Sequence, residues 1–210
     1  MIRRRSRILF ATIAMSVGLS VALSGCSSPT ASPSAEPTST AATPTNSPTV
    51  TPTADPRVFA MPTQCVDILP ASRVASFEAA NLVLLGGPGG RYEGDYLLDP
   101  TPEELVGGIT CIWGFSDSEA SSIAISVAPL SLNSRGDVID NLLASGLNES
   151  ELDGASIFGK QGDRDTSAAI INAIRPASWI SIIATVGGVA PYQQANEIVA
   201  EVTAIVYVTP

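Results

Sequence analysis

Three cysteines, Cys26, Cys65 and Cys111, carry the most specific chemistry in this 210-residue chain. A thiolate is a nucleophile, a metal ligand or half of a disulfide. The chain contains no histidine, which removes Ser-His-Asp and Cys-His catalysis and the usual catalytic zinc sites. No Gly-x-Ser-x-Gly elbow occurs. Lys160 is the only lysine, and Ser156 stands one position too far from it for a Ser-x-x-Lys pair. Gly86-Gly87-Pro88-Gly89-Gly90 is followed by Arg91-Tyr92, not by the Lys and Ser or Thr of a phosphate loop; it reads as a flexible surface loop. The acidic stretch from Asn148 to Asp153 is not an EF-hand, because Leu152 falls where an oxygen ligand is needed. Glu103, Glu104, Asp137, Asp140, Glu149, Glu151, Asp163 and Asp165 could supply a glycosidase-type carboxylate pair. They fall in expected loops and helix starts, where capping and solvation are the expected roles. These residues point away from catalysis, and neither a cofactor nor a metal site is expected.

The flanks of Cys26 say more. Arg3, Arg4, Arg5 and Arg7 precede an uncharged run from Ile8 to Leu23. Such a run is roughly 24 Å long as a helix, short of the ~30 Å hydrocarbon core, and suits the apolar region of a signal peptide. Ser24 and Gly25 are small, and Cys26 follows at once.

This arrangement resembles bacterial lipoprotein precursors, whose lipobox is Leu, a small residue, Gly or Ala, then Cys. Leu23-Ser24-Gly25-Cys26 fits at all four positions. The resemblance covers about residues 1–26. It implies a diacylglyceryl group on the Cys26 thiol, cleavage before Cys26, and a chain held outside the cytoplasm at the cell membrane. An uncleaved anchor or an ordinary secretory signal is the other reading. Arg7 stands where a twin-arginine signal prefers an apolar residue, so general export is expected. Acyl chains contribute ~0.8 kcal/mol per buried methylene, and two of them anchor stably where one does not.

Processing of that kind sharpens the charge. All 20 acidic residues lie beyond Cys26, with seven of the 11 basic ones, for a net −13. That charge argues against nucleic-acid partners, which need clustered Lys and Arg, and against a domain lying on anionic headgroups. Cys65 and Cys111 remain. In the oxidising surroundings that the resemblance implies, they would pair as a disulfide closing a loop of about 46 residues, worth roughly 4 kcal/mol; two buried free thiols are the alternative. Residues 27–56 contain 26 Ser, Thr, Pro or Ala among 30 positions, a composition expected to be disordered. Such a tether spans ~30 Å as a coil and ~90 Å as stretched polyproline. The expected organisation is thus a signal peptide over 1–25, a lipidated Cys26 and tether over 26–56, and one extracellular α+β domain over 57–210.

Within that domain, Pro70 is expected to open a helix and 82–85 forms a short apolar run. Thr101-Pro102-Glu103-Glu104 reads as a capping box. Ile109, Cys111, Trp113 and Phe115 alternate on one strand. Ile123, Ile125 and Val127 alternate on the next, with Ser122, Ala124, Ser126 and Ala128 opposite, which makes a hairpin. Ser134 is the expected cap of a helix running to Gly146, Ala155–Phe158 is a short strand, and 166–175 and 178–186 are two strong strands. Pro191 opens a last helix with an apolar stripe at Ala195, Ile198, Val199, Val202, Ile205 and Val206. The expected fold class is α+β: an antiparallel sheet of about five strands with helices packed on one face.

The order of lipobox, tether, Cys65 with Leu69-Pro70, Cys111-Ile112-Trp113 and a terminal amphipathic helix resembles the small actinobacterial lipoproteins of unknown function. More distantly, it is similar to the extracellular sensor domains of mycobacterial Ser/Thr kinases. Many members have a second Cys pair in the last third, which this chain lacks. The resemblance implies a fold and an extracellular lipidated setting, not an activity. The expected function is a non-catalytic binding or sensor-like module for a small molecule or protein partner. An accessory subunit of a membrane or envelope complex is the alternative, and a carboxylate-based cell-wall hydrolase the third reading. A deep apolar pocket with a few convergent polar groups would favour the first. An exposed apolar patch on a filled core would favour the second.

Overall fold

β-branched residues at every second position dictate a sheet with two different faces. A computed structural model describes residues 57–210; the expected signal peptide, the lipobox with Cys26 and the expected tether lie outside them. In chain order the elements are β1 (Val58–Phe59), a 3-10 turn at Cys65–Asp67, α1 (Ala71–Ala79), β2 (Val83–Gly86), a second 3-10 turn at Glu93–Tyr96, α2 (Pro102–Leu105), β3 (Ile109–Phe115), β4 (Ser118–Pro129), α3 (Leu132–Ala144), β5 (Asn148–Leu152), β6 (Ala155–Lys160), β7 (Ala169–Ile174), β8 (Ser178–Ala184), α4 (Val189–Val206) and β9 (Tyr207–Val208). The fold is mixed α and β. Its main sheet is antiparallel, in the order β2-β3-β4-β8-β7-β6-β5, and β1 pairs with β9 in a separate ribbon.

The sheet therefore has seven strands, not about five. β2 adds one edge beside β3. β5 adds the other, and it is the stretch that reads from sequence as an acidic loop. All five of its side chains are exposed, so no apolar alternation marks it. Its register against β6 runs from Asn148 opposite Gly159 to Leu152 opposite Ala155. Backbone pairing alone holds it, and Glu149 and Glu151 blunt the free edge against further pairing.

The first sheet face is filled. Cys111, Trp113, Ile125, Val127, Ile180, Ile182, Ile171 and Ile157 are buried there with Phe77 of α1 and with Ala195, Ile198, Val202 and Val206 of α4. This is the stripe expected on the last helix. That helix begins at Val189, two residues before Pro191. Arg73 of α1 ties the two helices together, donating to Glu201 from Nε and an Nη at 2.8 Å each and to Glu197 at 3.0 Å.

Helices occupy the second face as well, which corrects the expected one-sided arrangement. Leu142 of α3, with Val138 and Ile139 beside it, packs on Ala128, Phe158, Ile174 and Trp179. Those sheet residues point away from α4, so both faces carry apolar surface that needs cover. α3 is capped three residues earlier than expected: the Ser131 hydroxyl accepts from the Ser134 N–H.

Cys65 and Cys111 are joined by a disulfide with Cα atoms 5.5 Å apart, and both are fully buried. The bond fastens the first 3-10 turn to β3. The glycine-rich segment 86–90 is laid against it and is not a loose surface loop. Gly87 has φ +89°, and a Cβ there would overlap the Thr110 carbonyl oxygen and lie 2.8 Å from Cys65 Sγ. The Gly87 N–H donates to the Glu93 carbonyl and the Arg91 N–H to the Leu84 carbonyl. Among the described residues no helix is long and apolar enough to cross a membrane.

Candidate functional site

Antiparallel register lines up the second-face residues in rows that cross the strands. One row is polar: Thr110, Ser126, Ser181 and Asn172 sit side by side on β3, β4, β8 and β7. The next row is apolar: Ile112, Ala124, Ile183 and Ile170 on the same four strands, ending at Lys160 on β6. α3 covers a third row, Ala128, Trp179 and Ile174. The first two rows form the floor of a cleft of about 710 Å³, walled by α3 on one side and by α2 with the segment before it on the other.

The floor is incompletely covered. Ile183 lies on the middle strand of seven and is still 39% exposed. On the rim, Leu105 of α2 is 73% exposed. An isoleucine at the centre of a sheet ordinarily meets another layer, so its exposure marks missing cover.

The polar row beside it is buried and hydrogen-bonded. The hydroxyls of Thr101 and Thr110 are 2.7 Å apart and those of Thr110 and Ser126 are 2.9 Å apart. Trp179 Nε1 donates to Asn172 Oδ1 at 2.8 Å. Such pairing is what makes buried polar groups tolerable.

Glu103 enters this row from above. Pro102 opens the four-residue α2 and Thr101 caps it. The expected capping box is present: Thr101 Oγ1 accepts from the Glu104 N–H at 3.2 Å, and Glu104 Oε2 accepts from the Thr101 N–H at 2.8 Å. With Glu104 turned back to the cap, Glu103 faces the sheet and is 5% exposed. Burial raises its pKa above the ordinary carboxylate range. Hydrogen bonds from its own backbone, Ser181 and Thr101 offset part of the rise, and Glu104 adds to it. A carboxyl that keeps its proton can donate a hydrogen bond as well as accept one.

No family model matches the chain, and no curated protein or solved structure matches it. What the cleft does must be read from its own chemistry.

Of the acids considered from sequence, the cleft brings in Glu103 and no other, so no pair of carboxylates shares that space. Its burial corrects the expectation of a solvated or capping role. Asp137, Asp140, Glu149, Glu151, Asp163 and Asp165 are exposed. Asp163 organises its own loop, accepting from the N–H groups of Asp165 and Thr166 and from the hydroxyls of Thr166 and Ser167. Those bonds hold its pKa well below the usual range. Among the described residues, no cluster of three or more acids or cysteines could hold a metal ion.

Trp113 is core, tilted against Phe77 with ring centroids 5.7 Å apart, in the cluster that holds the disulfide. The tryptophan at the cleft is Trp179, and sequence reasoning does not single it out. A second cavity of about 260 Å³ lies between α4 and the β5–β6 turn. There the Arg175 guanidinium sits over the Tyr207 ring at 5.7 Å, and Asp153 shares the lining.

Proposed function

We propose that this chain is a lipid-anchored, extracytoplasmic, non-catalytic binding module, and that the cleft on the second sheet face holds its ligand. The observation that carries this reading is the pairing of an apolar row left open at Ile183 with a buried, satisfied polar row in one concave space. Ligand sites have that composition: apolar walls for affinity and a few fixed polar groups for orientation. The lipobox Leu23-Ser24-Gly25-Cys26 supports the anchor at Cys26, with the Ser/Thr/Pro segment as a disordered tether. The Cys65–Cys111 disulfide suits an oxidising compartment outside the cytoplasm. The net −13 of the chain beyond Cys26 leaves membrane contact to the lipid rather than to the domain surface.

The test has two arms. Cys26→Ala should move the protein from the envelope pellet to the soluble fraction; sedimentation equal to wild type defeats the anchor. Solvent extraction of the wild-type protein purified from native membranes, followed by mass spectrometry, should release a small molecule that Ile183→Arg does not retain. The accessory-subunit reading has its own support in two exposed leucines, Leu98, fully exposed, and Leu105 at the cleft's rim. It predicts a co-purified protein whose recovery falls on Leu98→Asp, with no small molecule in the extract.

A further inference from the structure

We infer that the cleft takes a long-chain monocarboxylate, its alkyl chain along the Ile112–Ala124–Ile183–Ile170 row and its carboxylate at Lys160. This rests on the binding reading above and names the ligand class for that same site.

The apolar row and the lysine are collinear, because all five are successive cross-strand partners, and all five line the cleft. Strands lie ~4.8 Å apart, so the row from Ile112 to Ile170 runs about 14 Å and reaches Lys160 at about 19 Å. An extended alkyl chain with ~1.5 Å bonds advances about 1.3 Å per carbon. The row therefore suits a chain of roughly 11 to 15 carbons. The cleft's volume of about 710 Å³ lies in the range of small-molecule sites.

The head group follows from charge. Lys160 is the only lysine in a chain whose acids outnumber its bases. It is exposed, and it makes no ion pair with a described residue. The cleft's acid, Glu103, is near Ser181, two strands and one row away from Lys160, roughly 12 Å. An anionic head is thus attracted to the Lys160 end of the row, and Glu103 lies beside the row's middle strand, not beside that end. A single ammonium matches a single carboxylate. A phosphate head calls instead for an arginine fork or a nest of backbone N–H groups, and neither lines this end of the cleft.

The experiment uses the lipoprotein in its native membranes. The probe is dodecanoic acid carrying a mid-chain diazirine; dodecanol and dodecyl phosphate with the same diazirine are the comparison probes. After irradiation, labelled peptides are mapped by mass spectrometry. The acid should label the peptides that hold Ile183 and Ile170, and excess dodecanoic acid should compete. Lys160→Ala should weaken labelling by about fivefold, the upper end for an exposed ion pair, and Lys160→Arg should restore it. Equal labelling by the alcohol with no effect of Lys160→Ala overturns the head-group assignment and leaves the cleft standing. Stronger labelling by the phosphate overturns the carboxylate. If no probe labels cleft peptides, the binding reading falls with it.

Discussion

Reducing the Cys65–Cys111 bridge separates the cross-link from the packing around it. The bond joins residues 46 apart in sequence. A loop of that length withholds about 13.5 cal/mol/K from the unfolded chain, or roughly 4 kcal/mol at 25 °C. Domains of this size are stable by ~5–15 kcal/mol in total, so the bond should account for about a quarter or more of what holds the fold. With a urea m-value near 2 kcal/mol/M, the unfolding midpoint should fall by about 2 M on reduction. The oxidised protein should also show the smaller m-value, because its unfolded state is looped and exposes less surface. The assay is urea unfolding followed by far-ultraviolet circular dichroism on oxidised protein, reduced protein, and the Cys65→Ala, Cys111→Ala double variant. Both sulfurs are fully buried, so a dithiol should reduce the bond slowly in buffer and quickly in denaturant. A midpoint shift under about 0.5 M, or rapid reduction in buffer, would refute the reasoning.

Glu103 should make stability fall as the pH rises. Its folded pKa is raised above the ordinary value of 4.5, so the folded state holds the proton more tightly than the unfolded chain. The contribution is complete below about pH 4.5 and is lost as the pH climbs through the folded value. Glu103→Gln should therefore flatten the pH dependence of the urea midpoint above pH 4.5; parallel curves would contradict it. Asp163 acts in the opposite sense and in a lower window, losing its contribution as the pH falls below its ordinary 3.8. Two glycines give a matched pair. Gly136 lies inside α3 at an ordinary φ with open space where a Cβ would go, so Gly136→Ala should stabilise by about 0.5–1 kcal/mol. Gly87→Ala, at φ +89° with the Thr110 carbonyl in the way, should destabilise by at least ~2 kcal/mol. Thermal melts of the two variants decide both.

The parts of the fold that announce themselves in sequence are those where one side chain pattern serves one environment. The hairpin at Ile109–Phe115 and Ile123–Val127 shows as alternation, the α4 stripe as helical spacing, and the capping box as Thr101 three residues before Glu104. β5 is silent because its backbone pairs while its side chains stay in water. Glu103 is silent for a related reason. Two adjacent glutamates at a helix start look alike in sequence, and only the turn of the four-residue helix sends Glu104 to the cap and Glu103 to the sheet. The second face is half legible. Small residues at Ala124 and Ser126 opposite the isoleucines mark it as different, but matching them to Ser181, Asn172 and Ile183 requires the strand order β4-β8-β7, which places sequence-distant strands together.

The cleft follows from a mismatch between cover and area. α4, with 18 residues, is about 27 Å long, and with α1 it closes the first face. On the second face α3 has 13 residues and α2 four, about 20 Å and 6 Å. Successive rows on one face are ~7 Å apart, and a helix is ~10 Å across. One helix therefore covers one row and part of the next. α3 spends its width on Ala128, Trp179 and Ile174, and α2 reaches only as far as Ser181. The polar row can stay in the gap because its members are partnered: Thr110 with Ser126 and Thr101, Asn172 with Trp179, and Ser181 with Glu103. In the apolar row beyond it, Ile112 is buried and Ile170 packs against the α3 cluster, but Ile183 between them has no such recourse: hydrophobic surface is stabilised only by contact. Under the proposed reading a ligand makes that contact. The affinity should then grow with chain length until the row is filled and stop growing beyond Lys160, a dependence that a merely sticky surface would not show.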